Sequence, residues 1–305
     1  MLSWQGLGRI RRCISVGECM VEIAPNPSGA YTLGFAGDTF NTAWYVAARK
    51  ASGLEVCFAS AIGDDAASQR LKAFVESCGI TPALQVVNGG SVGLYLIQTD
   101  NGERSFSYWR GEAAARRLAE DTSKLPAVVS TDLVFFSGIT LAILLDQGRQ
   151  NFLEYLNSAR EVGACVVFDP NLRPRLWEDE ATMCDWITEA AKVSDIVLPS
   201  FEDEGEHFGD ERPEDTGRRY LRQGAELVVV KNGPEAVTVM RPLDTNHVAP
   251  TKAATVVDTT AAGDSFNAGL LSSLIAGNAV EKAVADGCAL SATVIQGAGA
   301  LVPVE

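Results

Sequence analysis

A short run of small residues near the C-terminus, Asp258-Thr-Thr-Ala-Ala-Gly-Asp264, contains the residue types that phosphoryl transfer requires. At the start of a helix the amides of Ala262, Gly263 and Asp264 would lack intrahelical acceptors, and the helix dipole would favour an anion there. The Asp264 carboxylate beside that anion hole would accept the proton of an attacking hydroxyl. A lone acidic residue in a first helical turn is more often structural. The whole run nevertheless favours Asp264 as a catalytic base.

Strand-like apolar runs alternate with amphipathic stretches along most of the chain. The predicted buried strands are Cys13–Val16, Val56–Ala61, Leu133–Phe136, Cys165–Phe168, Ile196–Leu198 and Leu227–Val230. The predicted helices are Thr39–Arg49, Ala66–Cys78, Gln147–Val162 and Glu214–Gly224, followed late in the chain by a strand over Thr255–Asp258 and a helix over Asp264–Ala276. This alternation predicts an α/β fold, with a parallel sheet core and helices on both faces.

Two segments, about residues 20–36 and 91–110, instead alternate apolar with polar residues. The second contains a turn at Asp100-Asn-Gly102, which predicts an antiparallel hairpin. A small antiparallel β sheet over the carboxyl ends of parallel strands would act as a lid; an ordinary edge meander is the alternative. Without repeats or a clear linker, residues 1–305 are predicted to form a single domain with this lid.

Charge and composition exclude several function classes. The formal net charge of −14 argues against nucleic-acid binding, and no apolar run is long enough for a membrane span. The seven cysteines are scattered without a CxxC pair, which indicates a reducing, cytoplasmic setting and no zinc site. The first dozen residues are expected to form a loose, uncleaved leader.

The run at 258–264 resembles the Asp-Thr-x-Gly-Ala-Gly-Asp signature of the PfkB (ribokinase-like) family of carbohydrate kinases, with Ala261 in place of the first glycine. The N-terminal signature is matched by Gly34-Phe-Ala-Gly37-Asp-Thr-Phe-Asn41. Within the family the chain looks most similar to the kinases of 2-keto-3-deoxygluconate, on Gly93-Leu-Tyr95, Tyr108-Trp-Arg110 and Asp169-Pro-Asn-Leu-Arg173. The resemblance runs from about Cys13 to Val302. It implies a ribokinase-like fold and ATP-dependent phosphorylation of a sugar acid, 2-keto-3-deoxygluconate, to its 6-phosphate.

The resemblance also assigns site residues. Because a keto-deoxy sugar acid carries a carboxylate, its pocket needs cations and hydrogen-bonding groups. The implied substrate contacts are Gly37, Asn41, Tyr95, Tyr108, Arg110 and Arg173, together with the base Asp264. Without the resemblance, Arg110 would be read as a solvated charge at the hairpin end.

The ATP site implied by the resemblance is less specific in sequence. Its contacts are Asn171, Lys231, Gly233 and Cys288, together with Ala261 and Gly263 of the anion hole. Mg²⁺ is expected to bridge the ATP phosphates near Glu202 and Asp203, although an acidic helix start explains these carboxylates equally well. Lid sheets in this family often pair between subunits, which implies a homo-oligomer.

Three alternatives remain open. A PfkB kinase of a neutral sugar, of the fructokinase or ribokinase type, would not need Arg110 and Arg173 to hold a carboxylate. A dinucleotide-dependent dehydrogenase would need G-x-G-x-x-G after the first strand, which the sequence lacks. A non-catalytic sugar-binding relative would be expected to lack the base, whereas Asp264 and Gly263 are both present.

Overall fold

The computed structural model describes residues 3–26, 28–49, 53–100 and 103–304. Its strands, in chain order, are β1 (Arg12–Val16), β2 (Met20–Pro25), β3 (Tyr31–Ala36), β4 (Glu55–Ile62), β5 (Thr81–Val86), β6 (Leu94–Asp100), β7 (Glu103–Trp109), β8 (Asp132–Ser137), β9 (Cys165–Asp169), β10 (Ile196–Val197), β11 (Leu227–Val230), β12 (Val237–Arg241) and β13 (Asp244–Val248). Its α-helices are α1 (Asp38–Ala48), α2 (Ala66–Ser77), α3 (Gly138–Ile143), α4 (Asp146–Glu161), α5 (Glu180–Lys192), α6 (Phe201–Phe208), α7 (Pro213–Arg222), α8 (Ala262–Ile275) and α9 (Val280–Val294).

Nine strands form one large sheet in the order β13-β12-β11-β10-β9-β8-β1-β4-β5. The seven strands from β11 to β5 in this order pair in parallel, and β12 and β13 add an antiparallel edge. The six strands and four helices predicted from the alternating pattern all form, within two residues of their predicted bounds. The predicted α/β class, with helices on both faces of a parallel sheet, is therefore confirmed.

The large sheet is buried on both faces because successive side chains of a strand point to opposite sides. Ile14 and Val16 of β1 pack in the same core cluster as residues of α4 and α5. Cys13, from the same strand, packs instead with residues of α8 and α9. Each central strand must therefore be apolar throughout, which is the pattern that identified these strands in the sequence.

The small sheet consists of β2, β3, β6 and β7, in the order β3-β2-β6-β7. The predicted hairpin of β6 and β7 is antiparallel, with Tyr95 opposite Tyr108, while its turn at Asn101 and Gly102 lies outside the described residues. The central pair, β2 and β6, runs parallel, which the sequence pattern did not indicate. β2 follows β1 and β6 follows β5, so the small sheet is entered twice from the carboxyl end of a strand of the large sheet.

Two local predictions were wrong. No strand forms over Thr255–Asp258, because the amides of Val257 and Asp258 donate to the Ile295 carbonyl after α9, at 2.8 and 3.2 Å, instead of to a strand. The first dozen residues are not a loose leader over their described part. Ser3–Arg9 forms two short 3₁₀ turns that meet at a kink at Gly6, and Leu7 and Ile10 are buried in the core. No helix in the described part of the chain is both long and apolar enough to cross a membrane.

Candidate active site

The predicted site residues gather at the carboxyl edge of the large sheet. The chain passes from β1 to β4 and β5 on one side, and from β8 to β11 on the other, so the strand order reverses beside β1. Asp169 ends β9, and Lys231 directly follows β11. Open α/β sheets bind ligands in the crevice outside such a reversal.

The start of α8 has the geometry of an anion hole, with one change from the prediction. Ala261 precedes the helix in the left-handed region, at φ 59° and ψ 17°. The Ala262 amide donates to the Thr259 carbonyl at 3.1 Å, so it is not free for a ligand. Within the described residues, the amides of Gly263 and Asp264 donate to no acceptor. Two amides, not the predicted three, therefore face the cleft with the positive end of the helix dipole.

Asp258 holds the turn that leads into this helix. One carboxylate oxygen accepts the Thr260 amide at 3.0 Å and the Thr260 hydroxyl at 2.7 Å. The other oxygen accepts the Gly299 amide at 2.6 Å. Because Asp258 is buried and bonded through both oxygens, it fixes the backbone that positions the two free amides.

Asp264 connects the two signature segments. Its Oδ2 accepts a hydrogen bond from Asn41 Nδ2 at 2.8 Å, and its backbone carbonyl accepts one from the Thr42 hydroxyl at 3.3 Å. Asn41 and Thr42 lie on α1, which packs along α8. The predicted base and the predicted sugar contact Asn41 are thus held together by a direct side-chain contact.

The environment of Asp264 opposes its ionisation. Burial raises the pKa of this carboxyl to about 7, and the nearby carboxylates Asp38 and Asp169 add to the increase, whereas Asn41 and Lys231 act in the opposite direction. The side chain is nevertheless partly exposed. A carboxylate whose pKa lies close to neutral pH is well matched to accept a proton from a hydroxyl.

Lys231 lies beside the anion hole. A methyl group added to Gly263 would lie 3.7 Å from its ammonium nitrogen. The ammonium donates to Asp169 Oδ2 at 2.9 Å and to the side-chain oxygen Oδ1 of Asn267 at 3.4 Å, and Asn267 Nδ2 also donates to Asp169 Oδ2 at 2.6 Å. The sequence assigned no role to Asp169 or Asn267. Their only signals were the Asp-Pro-Asn string and the position of Asn267 three residues after Asp264.

Asn171 occupies an unusual backbone conformation, with φ of +36°. Its amide nitrogen Nδ2 donates to Asp38 Oδ2 at 2.7 Å, and its backbone amide donates to Asp169 Oδ1 at 3.2 Å. Asn tolerates this region better than most residues because its side chain bonds locally. Asn171 therefore ties the end of β9 to the start of α1, and Asp38 is a further site residue that the sequence did not single out.

Aromatic side chains of the small sheet form the opposite wall. The ring of Tyr95 lies 5.8 Å from that of Tyr108, centroid to centroid, and Phe106 continues the row. The Tyr95 hydroxyl donates to the Glu22 carboxylate, and burial strongly raises the pKa of this tyrosine. The guanidinium of Arg110 lies 6.0 Å from the Tyr108 ring centre and forms an ion pair with Glu18.

Gly37 is required by close packing. A methyl group at this position would lie 2.1 Å from the Glu18 carbonyl oxygen, which no side chain can accommodate without backbone movement. Its own amide donates to Asn41 Oδ1 at 3.3 Å. Because Gly37 has no side chain, the segment that leaves β3 can pass close to the segment that enters β2.

Three predicted residues do not join this cluster. Arg173 is half exposed and places its Nη1 3.9 Å from Asp203 Oδ2, not beside Arg110. Gly233 lies exposed in the turn after β11, with φ of +52°. Cys288 is buried on α9 within the core that packs against the large sheet.

The carboxylates at the start of α6 differ in exposure. Glu202 is exposed, whereas Asp203 is half-buried, and burial and the nearby Asp169 raise the pKa of Asp203 while Arg173 and Lys231 lower it. Among the described residues, no three His, Cys, Asp or Glu side chains form a group that could hold a metal ion. One or two carboxylates beside a phosphate site fit Mg²⁺, which usually keeps several waters and binds substrate phosphates.

The chain is similar to known proteins in sequence and in fold. The family model described as pfkB family carbohydrate kinase matches residues 11–305. A 2-dehydro-3-deoxygluconokinase from Dickeya dadantii is 36% identical over 299 residues, which cover 95% of this chain and 96% of that protein. A fructokinase from Rhizobium leguminosarum bv. trifolii is 28% identical, over 87% of this chain and 80% of its own length. The crystal structure of a PfkB protein from Polaromonas superposes with a TM-score of 0.83 at 28% identity, covering 94% of this chain and 96% of that one.

Proposed function

Since the chain belongs to the pfkB family of carbohydrate kinases, we propose that it transfers the γ-phosphoryl group of ATP to 2-dehydro-3-deoxygluconate, also called 2-keto-3-deoxygluconate, to form the 6-phosphate. The observation that carries the chemistry is Asp264, a carboxylate with a raised pKa beside two free helix amides. The choice of acceptor is supported by the 36% identity to a 2-dehydro-3-deoxygluconokinase over nearly the whole of both chains.

In the proposed mechanism, Asp264 accepts the proton of the attacking hydroxyl as its oxygen bonds to the γ-phosphorus and the bond to the leaving ADP oxygen breaks. The amides of Gly263 and Asp264 donate to the phosphoryl oxygens, and the Lys231 ammonium lies close enough to add positive charge. Mg²⁺, when bound, would neutralise phosphate charge, and Asp203 and Asp169 are the carboxylates that would hold it or its waters.

The acceptor would lie between the small sheet and α1. Asn41 and Gly37 would contact its hydroxyls, and Tyr95 would complete the sugar site. Arg110 and Tyr108 would meet the carboxylate from the small sheet, and Arg173 would approach it from the large one. Arg173 is half exposed, and its Nη1 donates to the Leu172 carbonyl at 2.6 Å and lies 3.9 Å from Asp203 Oδ2, so its other guanidinium nitrogens remain able to meet an anion.

ATP would lie along the edge formed by Lys231 and Asn171, with Ala261 and Gly263 at its phosphates. Gly233 would line the nucleotide cleft, and Cys288 would lie behind the adenine. We further propose that residues 1–305 act as one kinase domain, with the small sheet as the lid that excludes water.

A homo-oligomer formed through the small sheet completes the proposal. Tyr31, Leu33 and Trp109 share the face of this sheet that carries Ile23, and 54%, 47% and 58% of their surfaces are exposed. A second copy of the chain would cover such a group of large apolar side chains. A cytoplasmic location is supported by the seven free cysteines, five of which are buried.

A coupled ATP-consumption assay tests the function. We expect turnover with 2-dehydro-3-deoxygluconate to exceed that with its galactonate epimer, gluconate, fructose and ribose. Arg110→Ala should raise KM for the acid far more than KM for fructose, because fructose has no carboxylate. Preference for fructose or ribose would overturn the acid assignment, and absence of turnover with every acceptor would overturn the kinase assignment for this chain.

A further inference from the structure

All four connections between the small sheet and the rest of the molecule pass through one junction. Glu18 lies on the connection into β2, Gly37 on the connection out of β3, Gly93 on the connection into β6 and Arg110 on the connection out of β7. A methyl group at Gly93 would lie 2.9 Å from Glu18 Oε1 and 3.2 Å from Arg110 Cβ. Gly93 therefore leaves space for one buried pair of opposite charges, and Gly37 leaves space for the backbone of Glu18 at the same junction.

Glu18 and Arg110 use only part of their hydrogen-bonding capacity on each other. Arg110 Nη2 donates to Glu18 Oε2, and the two side chains are 12% and 2% exposed. Glu18 Oε1 and Arg110 Nε are both buried and have no hydrogen-bond partner among the described residues. Because guanidinium and carboxylate groups can form two parallel hydrogen bonds, a single contact leaves one edge of Arg110 unused. A buried polar atom without a partner is costly, so this edge suits a further ligand.

We propose that Glu18 is the resident counter-ion of Arg110, and that the carboxylate of the sugar acid replaces it while Glu18 takes up a proton. This proposal deepens the proposed function and rests on it. A neutral sugar has no group that could exchange with Glu18, so the exchange would select for acids. Glu18 touches no reacting atom and acts through Arg110, which makes it a positioning residue for specificity.

The surroundings of Glu18 favour this exchange. Burial raises the pKa of Glu18, Asp38 at the start of α1 adds to the increase, and Arg110 and Arg116 oppose it. Cys19, the adjacent buried thiol, has a strongly raised pKa and stays uncharged. A second carboxylate at Arg110 would repel the Glu18 charge and draw Arg110 away, and both effects favour the protonated form. The proton would come from solvent, so acid binding would be linked to pH.

Glu18→Gln tests the charge while it keeps an oxygen that accepts from Arg110. Without the competing charge, the acid should bind about tenfold more tightly at pH 8, the scale of one opposing charge in a partly buried site. In the Asp264→Asn background, where Asp264 cannot titrate, Glu18→Gln should also remove the pH dependence of Kd between pH 6 and 8. The affinity for 3-deoxyfructose, in which a hydroxymethyl group replaces the carboxylate, should not change. Glu112→Gln, at an exposed glutamate two residues after Arg110, is the matched control.

Proton uptake gives a second measurement that does not depend on a variant at Glu18. Titration calorimetry in HEPES and in Tris, which differ in ionisation enthalpy, counts the protons taken up. The Asp264→Asn protein should be used without ATP, because burial also raises the pKa of Asp264 to about 7 and its proton would be counted with that of Glu18. We expect about one proton per 2-dehydro-3-deoxygluconate bound at pH 7.5 and none with 3-deoxyfructose.

The outcomes separate the two proposals. Binding of the acid without proton uptake, or uptake that persists in the Asp264→Asn protein with Glu18→Gln, would overturn the counter-ion exchange and leave the kinase function intact. Failure of the protein to bind or phosphorylate 2-dehydro-3-deoxygluconate would overturn the proposed function and the exchange with it. If Glu18→Gln does not fold, the difference in proton uptake between the acid and 3-deoxyfructose, measured with Glu18 intact, still tests the counter-ion exchange.

Discussion

Asp264→Asn should inactivate the protein and stabilise it at the same time. The amide has the shape of the carboxylate, and its carbonyl oxygen can still accept the hydrogen bond from Asn41. It cannot accept the proton of the acceptor hydroxyl, so turnover should fall by about 10² or more, the usual scale for a general base. The gain in stability follows because the substitution removes a buried charge.

The pKa of Asp264 sets the size and sign of this gain. Its rise from 3.8 to about 7 corresponds to about 4 kcal/mol between the protonation states. We expect about half of that, ~2 kcal/mol, because the side chain is partly exposed and solvent screens its charge. Since the folded protein binds this proton more tightly than the unfolded chain, the stability contributed by Asp264 falls as pH rises from about 4 to 7. The advantage of Asn should therefore be largest above pH 7.

Urea denaturation at pH 5 and pH 8, together with the coupled kinase assay, measures both effects. The expected result is a higher free energy of unfolding for Asp264→Asn at pH 8 and a smaller gain at pH 5. Asp185→Asn, at an exposed aspartate on α5, should change neither stability nor turnover. An equal gain at both pH values would refute the buried-charge reasoning. Turnover close to that of the wild type would show that Asp264 is not the base.

Four further expectations concern the same site. In the wild type, kcat should rise with pH around a midpoint near 7, and a profile flat from pH 5 to 9 would contradict Asp264 as the base. Ala261→Gly should raise the free energy of unfolding in urea by about 1 kcal/mol, because φ is 59° there; a loss of stability would contradict the left-handed turn. Gly37→Ala should lower it by about 3 kcal/mol, because the new methyl meets the Glu18 carbonyl; unchanged stability would contradict the close packing. Lys231→Met should reduce kcat/KM for ATP by about tenfold or more, because a positive charge is lost beside the phosphate site; an unchanged value would place the phosphates elsewhere.

The sequence predicts best the features that depend on residues close together in the chain, such as strands and helix starts. Strands buried on both faces must be apolar throughout, so runs such as Leu133–Phe136 and Leu227–Val230 were recognised with nearly correct bounds. The start of α8 followed from small residues before an apolar periodic stretch. The strand predicted over Thr255–Asp258 does not form. Thr and Val favour strands by residue type alone, and residue type does not show whether a partner strand lies beside them. Val256 and Val257 are in fact 65% and 60% exposed, on a segment bonded to the end of α9.

The sequence did not indicate contacts between distant residues. The link of Lys231 to Asp169 joins residues 62 positions apart, and nothing in either local motif specifies it. The pairing of Arg110 with Glu18 spans 92 positions and depends on how the small sheet meets the large one. The loss of Ala262 from the anion hole depends on a single turn hydrogen bond. Such features follow from tertiary packing, which residue type and spacing do not encode locally.

The junction at Glu18, Gly37, Gly93 and Arg110 has an evolutionary consequence. Asp264 is held by α8, outside the small sheet, whereas Glu18 and Arg110 lie where that sheet joins the rest of the molecule, so the chemical step and the recognition of a carboxylate reside on separate parts of the chain. Replacing the segments 18–37 and 93–110, junction included, by those of a relative should then transfer the preference between an acid and a neutral sugar and leave phosphoryl transfer unchanged. The replacement should succeed only when the four junction residues move together, because Gly93 packs against the ion pair and Gly37 against the Glu18 carbonyl. Changes of substrate range within this fold would then fall on the small sheet and its junction, and the start of α8 would stay the same.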